Sequence, residues 1–247
     1  MSQSITSHPE PGIVGRALLI SKDPIISHQL STSMQRFAIT AELCTDPVAA
    51  AQLVNTRKFD AIIVDVTLND SAAHVLENVR GSRSNHNAVT FAVVDGSTRQ
   101  LARRLKAQFV LDRDSSGAVL SNVFRAALGL IIRERRRYYR CPLDLPAKIA
   151  LEGESEAPCK IINISEGGAA IQANVNFKPD SQVRIAFNLG SFFTIGSEIC
   201  WCDNNRRSGL RFHSWPAEQR PNLQEWLARQ LEQTLPERVA KLFTRSE

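Results

Sequence analysis

The sequence predicts two folding units in series: a doubly wound α/β sheet over residues 15–132, then a small antiparallel β-barrel with a C-terminal helix over residues 133–247. Three observations lead there. Short apolar runs alternate with helix-length segments through the first half, the pattern of a parallel sheet covered on both faces. After Pro142 the apolar period changes to two, as in strands with one buried face. Between them lies Arg133-Glu-Arg-Arg-Arg-Tyr-Tyr-Arg140. Its five arginines and one glutamate carry +4 of the chain's formal +5, and it holds both tyrosines.

Residues 1–14 read as a flexible polar leader with no hydrophobic signal region. Arg16–Ser21 is a short apolar run that fits a buried parallel strand. Pro24 opens a helix to about Met34, anchored by Ile25, Ile26 and Leu30. Ala38–Cys44 follows as a second strand, and Asp46 caps a helix that ends near Asn55. Asp60–Asp65 is the clearest buried strand. A helix over 71–80, the strand Val89–Val94, a helix over 98–106 and the strand Phe109–Asp112 complete the sheet. The last helix begins after Ser115 or Ser116 and sets Leu120, Val123, Phe124, Ala127 and Ile131 on one face. No proline intervenes before Pro142, so this helix is expected to run into the arginine block and join the halves. The alternative is a helix that frays near Arg133.

In the second half, Val183, Ile185, Phe187 and Leu189 alternate with Arg184, Ala186 and Asn188. Phe193, Ile195, Ser197, Ile199 and Trp201 alternate in the same way. Gly209–Phe212 adds a closing strand with Leu210 and Phe212 inward. Turn residues at Glu152-Gly153, Gly190 and Asp203–Asn205 separate short strands, as a small barrel requires. A helix from Pro216 carries Leu223, Trp226, Leu227 and Leu231 on one side and is suited to covering the barrel. A shorter segment begins at Pro236.

Apolar residues make up 43% and charged residues 22%, the composition of a globular chain with a true core. Basicity is concentrated at one junction, which favours a compact anionic ligand over a long nucleic-acid track. No apolar run of membrane-spanning length occurs, so a cytoplasmic protein is expected. The five cysteines (44, 141, 159, 200, 202) form no CxxC pair and read as reduced thiols. The five histidines (8, 28, 74, 86, 213) are scattered, and neither a phosphate loop nor a nucleophile elbow is present. No metal, no cofactor and no enzyme activity are expected.

Arginine forks suit phosphates and guanine edges because each presents paired N–H donors in one plane. Arg136 and Arg140 stand at RxxxR spacing, and Asn163, Ser165 and Gly168 stand at NxSxxG spacing. In that order, around an alternating β pattern, they resemble the PilZ domain, over roughly residues 133–232. The resemblance implies a six-stranded barrel that binds the bacterial second messenger cyclic di-GMP. It implies phosphate and guanine contacts from Arg136 and Arg140, with Arg137 as a helper. Asn163 and Ser165 would hydrogen-bond the ligand, and Gly168 would permit the turn. Gly209–Phe212 is similar to the family's terminal strand.

Residues 16–130 resemble the response-regulator receiver domain, more in topology than in chemistry. Asp65 falls where that family carries its phosphoacceptor. The acidic pair that would hold magnesium is replaced by Ser21-Lys22-Asp23, the Thr/Ser position by Val94 or Asp95, and the lysine by Arg113. Magnesium requires oxygen ligands, so a degenerate, unphosphorylated receiver is expected.

The leading expectation is a cyclic di-GMP receptor in which the ligand changes how the units meet and how a downstream protein is engaged. Five clustered arginines repel one another, so two phosphates are expected to order residues 128–142. A ligand-independent interaction scaffold is a second class; the paired motifs disfavour it. Nucleic-acid binding, with Tyr138 and Tyr139 stacking bases, is a third, disfavoured by the absence of a spread basic face.

Overall fold

The computed structural model describes residues 12–68, 70–151 and 154–243. The leader up to residue 11 and the Glu152-Gly153 turn therefore lie outside the described residues. The described chain divides into two units, one of residues 12–135 with 234–243 and one of residues 136–233.

In the first unit, β1 (Gly15–Ile20), β2 (Ile39–Cys44), β3 (Ala61–Asp65), β4 (Val89–Val94) and β5 (Phe109–Asp112) form a parallel sheet in the order β2-β1-β3-β4-β5. β3 is central and every residue in it is buried, hence its unbroken apolar run up to Asp65. α1 (Pro24–Gln35) starts where Asp23 accepts the N–H groups of Ile25 and Ile26 at 2.8 and 3.2 Å. α2 (Pro47–Thr56) repeats this device, with Asp46 accepting from Val48 and Ala49 at 3.1 and 3.2 Å. In both helices proline fills the first position, where no N–H is needed. α3 (Asp70–Gly81) and α4 (Arg99–Arg104) complete the alternation.

α5 (Gly117–Tyr138) has 22 residues, or about 33 Å at the usual rise. Ser116 Oγ accepts the Val119 N–H at 3.4 Å, which decides between the two candidate caps. Leu120, Phe124, Ala127, Leu128, Ile131 and Ile132 are buried, and Phe124 lies 5.2 Å from Phe91. Close approach to the sheet depends on Gly15, where a Cβ would sit 2.6 Å from Ile131 Cγ2. Further along, Glu134 is only 3% exposed and pairs with Lys58 Nζ at 2.6 Å. The buried Asp60 accepts the Arg16 N–H at 2.8 Å, and burial pushes its pKa up. The helix does not fray at Arg133; it carries the arginine block through to Tyr138.

α7 (Glu237–Phe243) belongs to this same unit. Arg238 Nη2 donates to the Gln35 carbonyl at the end of α1, 3.1 Å away, and Val239 is fully buried.

The second unit is a closed antiparallel barrel of β6 (Cys141–Leu151), β7 (Ala157–Ser165), β8 (Gly168–Ala173), β9 (Gln182–Asn188), β10 (Phe192–Cys202) and β11 (Arg207–Ser214), in the order β10-β11-β8-β7-β6-β9. Val183, Ile185 and Phe187 of β9 and Phe193, Ile195 and Ile199 of β10 fill it. Trp201 departs from the expected alternation and is 43% exposed, because the register against β11 shifts between Ile199 and Trp201. α6 (Gln219–Thr234) buries Leu223, Leu227 and Leu231 and leaves Trp226 half-buried. It starts after Pro216, in a turn where the Gln219 N–H donates to the Pro216 carbonyl at 3.0 Å. Gln219 Oε1 in turn accepts the Thr194 N–H of β10 at 2.9 Å. No helix among the described residues is long and apolar enough to cross a membrane.

Candidate ligand site on the barrel

Arg136 lies in the last turn of α5, which ends at Tyr138, and Arg140 stands just beyond the helix, immediately before β6. β6 runs antiparallel to β7 with Cys141 opposite Ile164 and Pro142 opposite Asn163. Strand pairing therefore brings Arg140 beside Asn163, with Nη1 3.4 Å from Oδ1. Residues 23 positions apart in sequence, one from each motif, meet at the mouth of one hairpin.

The β7–β8 hairpin closes with Ser165 opposite Gly168. Ser165 is buried, and its hydroxyl donates to the Gly168 carbonyl at 3.0 Å, so its proton holds the turn. Gly168 is required by a neighbour: a Cβ there would lie 2.0 Å from the Leu210 carbonyl oxygen of β11. The Phe212 N–H donates to the Gly167 carbonyl at 3.0 Å and fixes the turn from the same side.

α6 reaches both motifs. Arg136 Nη2 pairs with Glu232 Oε1 at 2.5 Å, and both side chains are substantially exposed. Near the other end of the helix, Glu166 in the turn accepts from Gln224 Nε2 and from Arg220 Nη2, the latter at 3.3 Å. Arg136, Arg137 and Arg140 are all exposed. Tyr138 is exposed too, whereas Tyr139 is buried. The contacts from Glu232, Arg220 and Gln224 have no sequence signature, since they depend on where α6 docks.

In the first unit the C-terminal ends of β1 and β3 bring Ser21 and Asp65 together, with Ser21 Oγ 2.9 Å from Asp65 Oδ2. Asp65 is fully buried. Val94 is buried in β4, so the position after that strand falls to Asp95. Asp95 accepts hydrogen bonds from Ser97 and Thr98, which pull its pKa down to about 2.

Residues 134–229 match the family model of the PilZ domain. None of the curated proteins gives a significant match to the chain. Among solved structures, the chain is similar to the PilZ domain of CeSA from a cellulose-synthesizing bacterium, at 21% identity, 38% of this chain, 93% of that one and TM-score 0.29. It is also similar to the receiver domain of the sensor histidine kinase PA1611 from Pseudomonas aeruginosa PAO1, which holds magnesium in its active-site cleft. That match has 15% identity, 47% of this chain, 98% of that one and TM-score 0.41. A putative response regulator from Chloroflexus aurantiacus matches at 16% identity, 49% and 98% coverage and TM-score 0.42. The family match thus assigns residues 134–229, and not the whole chain, to the PilZ domain. The unit before it has the receiver strand order, with a helix between successive strands.

Proposed function

We propose that this chain is a cyclic di-GMP receptor whose ligand is gripped by Arg136, Arg137 and Arg140 together with the Asn163–Gly168 turn. The supporting observation is the approach of Arg140 to Asn163, 3.4 Å between Nη1 and Oδ1, which joins the two motifs in space. Guanidinium forks meet the phosphates and guanine edges, Asn163 adds a polar contact, and Ser165 acts through the shape of the turn it holds. Each charge-assisted hydrogen bond is worth about 1.5–3 kcal/mol, so four or five, less the entropy of association, suit a micromolar ligand at about −8 kcal/mol. The exposed Arg136–Glu232 pair is worth at most about 1 kcal/mol and yields to a phosphate.

Ligand capture then orders the junction and changes how the two units, and through them a downstream protein, are engaged. Burial of Tyr139 removes one of the two rings a base-stacking reading requires, which disfavours nucleic acid. Calorimetric titration with cyclic di-GMP, with GTP and single-stranded DNA as controls, tests the proposal. Saturable binding of cyclic di-GMP alone is expected. Binding of none of the three would make the barrel a protein-interaction scaffold instead.

A further inference from the structure

We infer that Arg113 is a built-in cation that takes the place of a divalent metal at the rim of the first unit, so that the Asp65 site holds neither magnesium nor a phosphoryl group. A receiver's metal site needs several oxygen ligands around a small, hard ion. Here the carboxylates that Arg113 contacts are Asp23 and Asp65. Among the described residues no group of three or more His, Cys, Asp or Glu side chains could hold a metal. The residues present do not fit the ion.

They fit a guanidinium. Arg113 follows β5, and its Nη1 lies 3.0 Å from Asp65 Oδ2 and 2.6 Å from Thr67 Oγ1. Its Nη2 lies 2.5 Å from Asp23 Oδ2. One planar fork thus bridges the two carboxylates, where a metal ion would have to sit. Burial works against the charge on Arg113, but Asp65 and Asp23 outweigh it and the pKa stands above its ordinary value.

The remaining acceptor sites are also taken. Asp65 Oδ2 receives the Ser21 hydroxyl at 2.9 Å, and Oδ1 receives the Thr67 N–H and hydroxyl at 3.2 and 2.6 Å. Asp23 Oδ1 caps α1. A carboxylate held by four donors and fully buried is a poor nucleophile and a poor metal ligand at once. The rim is closed by its own side chains, and the first unit keeps one arrangement without metal.

Thermal denaturation of the full chain in EDTA, and in millimolar magnesium or manganese chloride, reads this directly. Wild type is expected to melt at the same temperature in all three. Arg113→Ala leaves Asp23 and Asp65 facing each other without a counter-charge. It is expected to melt several degrees lower in EDTA and to recover part of that loss with manganese. The double variant Arg113→Ala/Asp65→Asn should show no recovery. An Arg113→Ala protein that melts like wild type and ignores both metals overturns the inference.

A second readout uses wild type alone and needs no variant to fold. Intact-mass analysis after acetyl phosphate with magnesium should leave it unmodified. An added phosphoryl group mapped to Asp65 overturns the inference.

Discussion

Arg136 of α5 and Glu232 of α6 form an ion pair, 2.5 Å from Nη2 to Oε1, across 96 residues of sequence. The carboxylate occupies the guanidinium that the PilZ motif would direct at a ligand phosphate. Under the proposed function Glu232 would compete with the ligand for Arg136. Glu232→Gln is expected to tighten cyclic di-GMP binding by up to about fivefold, the equivalent of an exposed ion pair. Calorimetry on wild type and variant decides it. Unchanged or weaker binding would show that Glu232 does not compete.

Arg136→Ala and Arg140→Ala remove the two forks. Each is expected to weaken cyclic di-GMP binding about 10- to 100-fold or more, since each deletes charge-assisted hydrogen bonds of about 1.5–3 kcal/mol. Stability should move by no more than about 1 kcal/mol, because both side chains lie on the surface and Arg136 loses only an exposed ion pair. Equal affinity in both variants would remove the assigned site.

The turn is more sensitive than the arginines. Gly168→Ala places a methyl group against the Leu210 carbonyl, and backbone cannot yield as a side chain can. It is expected to destabilise the barrel by about 1–3 kcal/mol in urea unfolding. Ser165→Ala loses the hydrogen bond to the Gly168 carbonyl and is expected to cost about 1 kcal/mol. Wild-type stability in Gly168→Ala would mean that β8 and β11 can separate at no cost.

Ligand binding is expected to raise hydrogen-exchange protection across residues 128–142, because two phosphates neutralise the clustered arginines. Binding with no added protection anywhere in this stretch would make the barrel a passive dock.

Asp95 supplies a pH signature. Its pKa falls from 3.8 to about 2 through hydrogen bonds from Ser97 and Thr98. A depressed carboxylate contributes stability that is present above the unfolded pKa and lost as pH falls through the folded one. Asp95→Asn should therefore melt below wild type at neutral pH, with the gap closing between about pH 4 and pH 2. A gap that stays constant through that window would show that charge at Asp95 contributes nothing.

What can be read from sequence follows from how local each cause is. Asp46-Pro47 marks its helix start almost to the residue, because cap and proline act within one turn. Val89–Val94 and Phe109–Asp112 are legible as apolar runs ended by polar residues. β6 keeps period two from Cys141 to Ile149, but the prolines at 142 and 146 and the register shift before Leu145 argue locally against a strand. The Trp201 reversal comes from a register shift against β11 that no period-two pattern reveals. In the site, Arg140 and Asn163 are legible because their spacing is a motif. Glu232, Arg220 and Gln224 are not, because long-range pairing by a docked helix leaves no periodic trace in the chain. Arg113 can be aligned with a family lysine, but its grip on both carboxylates is a property of three strand ends meeting.

The return of α7 to the first unit sets an order of assembly. The buried Val239 and the Arg238 cap on α1 lie beyond the whole barrel in sequence. A ribosome releases residues 12–135 early, yet the contacts of α7 become available only after residues 136–233 have emerged. During synthesis the first unit therefore waits, with the end of α1 uncovered, while the barrel is made. A fragment cut at residue 233 would keep that nascent state permanently, and excision of the barrel for separate study exposes a surface on the piece left behind.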